Sequence, residues 1–363
     1  MTMSDQSDRS EYLANLFLPE ADEPLPNLPL PDESHVESWR QWRPDGEISL
    51  ADLAQQLPQL HFGVEPGIAK TPAYHKAILG ADASAVPDQP LQRNGRLAYS
   101  VVQHWAGSLP TISTKNREDF EWLFRILGFK GEEIDISPNV HALFITGLPN
   151  PGRLRSTKAS WDRGELEDDP LVSGCTDWNT AIKAIDQGDK TRFRDRIILI
   201  HHEPYANLDP KTVSESMHAE EWLSISATLR LEHEFAHYAT RRLFNNMRLN
   251  LHDELIADCM GFTKALGTFR ADLFLMGLGI TPGVLPDARA RAWTYLGTLA
   301  KQDVLDVCEL IASAAHNVEE ALEAGAPHER VRLLKTLAAH GVQGLAMDSA
   351  CESIRIGLAQ KNT

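Results

Sequence analysis

Residues 229–244 read LRLEHEFAHYATRRLF. On a helix, residues four apart project from one face, so His233 and His237 present two imidazoles to a single point, the spacing that binds one metal ion. Glu234 falls on the adjacent flank, where it stands beside a water held by that ion. A catalytic zinc site takes three protein ligands and keeps its fourth position for water. A third ligand is therefore needed, and Glu254 stands seventeen residues after His237, in HDELIADCMG. Asp258 follows Glu254 by one helical turn and shares its face. The pair divides the work: Glu254 completes the ligand set, and Asp258 accepts the free N–H of one histidine, fixing its tautomer. The expected cofactor is Zn2+, one per chain.

These groups need two helices that return on one another. The linker YATRRLFNNMRLNL is long enough to finish the first helix, turn between Asn245 and Asn250, and start the second. The remainder, after residue 210, reads as nearly continuous helix, broken at ITPGVLP and GAPHE. Ahead of it lie three β-rich runs, RLAYSVVQHWA at 96–106, VHALFITGL at 140–148 and RIILIHH at 196–202, expected to share one sheet. Between the first two, residues 114–129 carry Phe120, Leu123, Phe124 and Leu127 at helical spacing, and ISLADLAQQL at 48–57 suggests a short helix. Residues 19–44 hold six prolines among acidic residues, which resists helix and sheet. The organisation expected is an extended acidic arm over 1–47, draped on the body through Trp39 and Trp42, an α/β part over 48–210 and a helical part over 211–363. The fold class is α+β.

Composition narrows the partners. The 363 residues carry a formal charge of −16, and the first fifty alone hold eleven acidic residues against three arginines. A surface of that sign does not attract nucleic acid or an anionic membrane. No apolar run approaches bilayer length and the first residues lack a basic, apolar leader, so a cytoplasmic protein is expected. Cys175, Cys259, Cys308 and Cys351 are far apart, which fits free thiols. Neither a glycine-rich phosphate loop nor a GxSxG elbow occurs.

The strings His233-Glu234-Phe235-Ala236-His237 and Glu254-Leu255-Ile256-Ala257-Asp258 resemble the gluzincin type of zinc metallopeptidase, over about residues 225–262. That resemblance implies a zincin-like fold, with a small mixed sheet packed on the HExxH helix and helices below. It implies His233, His237 and Glu254 as ligands, Glu234 as general base and Asp258 behind a histidine. The activity implied is hydrolysis of an amide bond in a peptide or a small molecule. His201, His202, Tyr238 and Arg241 are the candidates for stabilising the oxyanion. His252 and Asp253 read as helix-start residues, Glu232 as solvated, and Cys259 as core. Two other readings stay open. One is a non-catalytic zincin-fold protein with a structural metal, binding a protein partner through the N-terminal arm. The other is a di-iron carboxylate oxidoreductase built on the ExxH pairs Glu215/His218 and Glu234/His237.

Overall fold

The computed structural model describes residues 3–17, 26–297, 299–322 and 329–359. The chain divides into two compact units, Pro29–Ile136 with Ala142–His202, and Met1–Leu28 with Ser137–His141 and Glu203–Thr363. The division falls at the end of a strand, at 202/203, rather than at the 210/211 boundary expected from composition.

The first unit holds a five-stranded sheet of Gly46–Ser49 (β1), Arg96–Val102 (β2), Leu109–Thr114 (β3), Ala142–Pro149 (β4) and Arg194–His201 (β5), in the order β1-β2-β3-β5-β4. The β3–β5 pair is parallel and the others antiparallel. Strand β5 lies inside the sheet, with Leu199 opposite Leu143 of β4 and Ile112 of β3. A strand covered on both faces reads as an unbroken apolar run, and Ile197, Ile198 and Leu199 have no exposed surface. At the edge, β4 is interrupted between Ile145 and Leu148, where Gly147 takes the left-handed region with φ +70°. Strands β1 and β3 lie outside the three runs expected. The first has only four residues before the helix Leu50–Gln56, which Ser49 and Asp52 close with a reciprocal capping box. The second includes Pro110, which precedes the residues paired with β5, Thr111–Thr114, so its missing N–H removes no rung there. The expected helix at 114–129 is an α-helix over Arg117–Leu123 continued by a π turn over Phe124–Gly128.

The arm expected to be extended is instead partly helical, over Met3–Ala14 and Ser34–Trp42. Pro31 and Pro44 flank the second helix without entering it, so the composition of the whole segment misrepresents this stretch. Trp39 is fully buried, donates Nε1–H to Asp195 Oδ2 at 2.7 Å, and stacks with Trp42 against Tyr99. Residues 18–25, with two of the prolines, lie outside the described residues.

The second unit contains the long helix Ala219–Phe244, hereafter the histidine helix, and Leu251–Leu266, the acidic helix. The turn falls where expected. Asn245 ends the histidine helix in the left-handed conformation, φ 50°, and Asn250 caps the acidic helix by accepting the Asp253 N–H at 3.0 Å. Gly261 sets their approach, because a Cβ there would come within 2.7 Å of the Leu229 carbonyl oxygen. Farther helices are Ala271–Leu278, Trp293–Leu296, Lys301–Leu322, Arg330–Leu345 and Ala350–Ala359, with a non-helical stretch across ITPGVLP as expected. Most of GAPHE, residues 325–328, lies outside the described residues. Among the described residues no helix is long and apolar enough to cross a membrane.

Candidate metal centre

The antiparallel return of the two helices places Leu229 by Gly261, His233 by Asp258, and His237 by Asp253 and Glu254. His233 Nε2 and His237 Nε2 lie 3.1 Å apart. Glu254 completes the cluster with one oxygen towards each ring, Oε2 3.6 Å from His233 Nε2 and Oε1 3.4 Å from His237 Nε2. Ligand bonds of about 2.0–2.2 Å to tetrahedral zinc imply donor separations of roughly 3.3–3.6 Å. The two carboxylate distances fall in that range and the histidine pair, at 3.1 Å, is slightly tighter. Among the described residues, this is the one group of three or more potential ligands that could hold a metal ion.

Protonation points the same way. A carboxylate only accepts, so the 2.7 Å contact between His233 Nδ1 and Asp258 Oδ1 puts the hydrogen on Nδ1 and leaves Nε2 with its lone pair. The other histidine has a carboxylate of its own. Asp253 Oδ2 lies 3.2 Å from His237 Nδ1, an oblique approach that makes the contact electrostatic more than a well-aligned hydrogen bond. The 3.1 Å contact between the two Nε2 atoms needs a hydrogen or a cation between them, which His237 Nε2–H supplies in the absence of an ion. A proton can bridge two such atoms, but three converging donor residues suit a metal ion.

Further groups hold the two aspartates. Tyr205 donates its hydroxyl to Asp258 Oδ2 at 2.6 Å and is itself buried, its hydroxyl pressed against Gly277 so closely that a Cβ there would stand 2.7 Å away. Asp253 Oδ2 accepts the Arg248 N–H at 3.0 Å. The N-terminal segment packs on the same place: Tyr12 OH accepts the Leu251 N–H, and Asn15 accepts from Arg248 and Asn250 side chains. Those contacts satisfy groups at the start of the acidic helix that would otherwise lack partners.

The site is rich in acidic groups: Glu234, Asp253, Glu254 and Asp258 are all buried, beside the buried Arg230 and the largely covered Arg291. Burial pushes the Glu234 carboxyl up, a rise that His233 and His237 oppose and Glu254 reinforces. Burial also acts to raise Glu254, but Arg291 and the two imidazoles outweigh it and hold that carboxyl well below its ordinary range. For His237 burial disfavours the charged form, and Asp253 with Glu254 outweighs it in the opposite direction.

Of the residues expected from sequence, His233, Glu234, His237, Glu254 and Asp258 come together. The four oxyanion candidates lie on β5, just after it, and on the histidine helix. His201 and His202 end β5 in the sheet unit, the first stacked on Phe120 and the second 3.1 Å from Ser113 Oγ. Tyr238 is a core residue whose hydroxyl accepts from Arg242 at 2.8 Å, and Arg241 follows in the last turn of the histidine helix. Glu215 and His218 are exposed ahead of the histidine helix, not on a facing one. Glu232, expected to be solvated, is buried and paired with Arg330. Cys259 is core, as expected. Asp253 does more than begin a helix, and Tyr205, Arg230 and Arg291 had no signal in the sequence beyond being polar.

An α+β protein with a buried two-histidine, one-glutamate cluster on antiparallel helices is the class these features define. The chain belongs to the family described as "Family of unknown function (DUF7005)", whose model matches residues 2–349. No curated protein and no solved structure matches the chain.

Proposed function

We propose that this protein is a zinc-dependent hydrolase of amide, peptide-like bonds, with His233, His237 and Glu254 as ligands and Glu234 as general base. The observation that carries the reading is the convergence of His233, His237 and Glu254, the two Nε2 atoms 3.1 Å apart and one Glu254 oxygen 3.4 or 3.6 Å from each, with the buried Glu234 next to His233 on the same helix. The antiparallel pairing of the HExxH helix with the helix bearing Glu254 and Asp258 also supports the finer, gluzincin-like and zincin-like assignment.

A zinc ion held by these residues would supply Lewis acidity and acidify a water molecule. The chain's own groups supply the rest. Glu234, raised by burial, is suited to take a proton from water and return it to the departing amine, because a base works best when its pKa lies near the working pH. Asp258 keeps the hydrogen of His233 on Nδ1, and Tyr205 keeps Asp258 in place. Arg230, 6% exposed and anchored by donation to the Pro204 carbonyl at 2.6 Å, adds a fixed positive charge near Glu234.

Two observations favour this over the alternatives. A structural zinc site closes with four protein ligands, whereas three donor residues converge here. A di-iron centre requires Glu215 and His218 on a facing helix, and both are exposed in the turn before the histidine helix.

Glu234→Gln is the test. Elemental analysis should find one zinc per chain in wild type and variant alike, with unchanged thermal unfolding. Turnover of a peptide library and a small-amide panel should fall by about 100-fold or more in the variant. Wild-type protein that holds no zinc after reloading, or a Gln variant as active as wild type, would sink the proposal.

A further inference from the structure

Glu254 has a partner outside both motifs. Its Oε2, besides facing His233, is paired with Arg291 Nη2. Arg291 is largely covered, its side chain 11% exposed, with Nη1 3.9 Å from Asp258 Oδ2 and Nε donating to the Tyr295 hydroxyl at 3.4 Å. One guanidinium therefore spans two acidic residues a helical turn apart, the glutamate offered to the metal and the aspartate that orients His233. Tyr295 backs it from one turn further along the chain, its ring centroid 5.7 Å from the guanidinium carbon.

We propose that Arg291 is a positioning residue that acts as a built-in counter-ion at the metal centre: it competes with a dication for Glu254, lowering metal affinity while keeping the acidic helix stable without one. The inference rests on the metal-site reading above. Two cations sharing one buried carboxylate repel each other, and screening is weak at such burial. Removal of the guanidinium leaves Glu254 and Asp258 buried with less compensation, which destabilises the metal-free protein. A dication then relieves more strain on binding than it does in wild type. An ordinary supporting residue would have the opposite effect, since its loss loosens a ligand and weakens binding. Lysine would restore the charge but, as a compact point donor, would not span both carboxylates.

The experiment is a Zn2+ titration against a chromophoric chelator, with thermal unfolding in zinc and in EDTA, for wild type, Arg291→Met and Arg291→Lys. The Met variant should bind zinc about tenfold tighter than wild type, the scale of effect seen for groups behind metal ligands. Zinc should also raise its Tm by more than it raises that of wild type. The Lys variant should stay within about threefold of wild type, since it keeps the charge. Equal or weaker zinc binding by a folded Met variant overturns the inference while leaving the metal site standing; failure of wild type to bind zinc removes the metal site and the inference together. Should the Met variant not fold in EDTA, recovery on refolding with zinc supports the inference, and aggregation under both conditions overturns it.

Discussion

Each unit buries a carboxylate network, and the two are balanced differently. In the sheet unit, Asp195 has no exposed surface and accepts from Trp39 Nε1 and Asn150 Nδ2, each at 2.7 Å, and from Arg153 Nη1 at 2.5 Å. One carboxylate meets one guanidinium and every acceptor is used. Arg153 in turn donates to Ser34 Oγ and the Thr191 carbonyl, so the network joins the helix Ser34–Trp42 to the strand that carries Asp195. In the helical unit four buried acidic side chains meet two guanidiniums around two imidazoles whose Nε2 atoms lie 3.1 Å apart. Burial and ionic pairing alone therefore do not mark a site. A surplus of buried acidic groups around converging donor atoms does, because burying a charge is tolerated only when something compensates it.

The largest effect expected from this contrast is on stability, not on metal. Asp195→Ala removes the ionic partner of Arg153 and the acceptor of Trp39 and Asn150, and breaking a buried pair costs about 3–5 kcal/mol. Urea unfolding followed by tryptophan fluorescence should register that loss, since Trp39 is a direct partner. Zinc content should remain one per chain. Loss of zinc in this variant, or a stability change below about 1 kcal/mol, would erase the distinction between the two networks.

How much was legible in the sequence follows from the range of each contact. His233 and His237, like Glu254 and Asp258, are brought together by helical spacing alone, and a short asparagine-bounded turn leaves the second helix little choice but to return. Tyr205 and Arg291 reach the same place from a 3-10 turn after β5 and from the segment before Trp293. Their positions depend on tertiary packing, which leaves no periodic trace. Asp253 was readable only as a helix-start residue because its cap role at Asn250 is local, whereas its approach to His237 is not. The same division holds for the sheet. Strands β4 and β5 showed as apolar runs, while β1 has only four residues and β3 contains a proline. In the arm, averaging over many prolines hid the proline-free stretch from Ser34 to Trp42.

A smaller effect would sharpen the comparison from the other side. Tyr205→Phe keeps the ring against Gly277 and removes the hydroxyl that donates to Asp258 at 2.6 Å. Zinc affinity should fall by about tenfold, as for other groups that hold a metal-ligating histidine through its carboxylate. Stability should fall by about 1 kcal/mol, the usual scale for one hydrogen bond. The chelator titration and urea unfolding separate the two. A stability loss with unchanged zinc affinity would make Tyr205 a core residue only and place Asp258 with Asp195 among structural carboxylates.

The smallest effect concerns how each unit treats an imidazole. Carboxylates raise His237, whereas burial, with Arg153 and Arg196 nearby, pushes His35 down to about 3, against which the Arg196 carbonyl and Asp32 act only weakly. His35 is fully buried, with Nε2 donating to the Arg196 carbonyl at 3.0 Å and Nδ1 lacking a hydrogen-bond partner, so a second ring proton would have nothing to bond. The unfolded chain takes that proton near pH 6.5 and the folded chain does not. The His35 contribution to stability is therefore complete above about pH 6.5 and is lost as pH falls towards 3, at up to about 1.4 kcal/mol per pH unit. Between pH 7 and 5.5, before most carboxylates titrate, wild type should lose about 1 kcal/mol more than His35→Gln, whose amide nitrogen can still donate to Arg196. Equal pH dependence in the two proteins would mean that His35 charges inside the fold, and the contrast between the two units in their treatment of an imidazole would be lost.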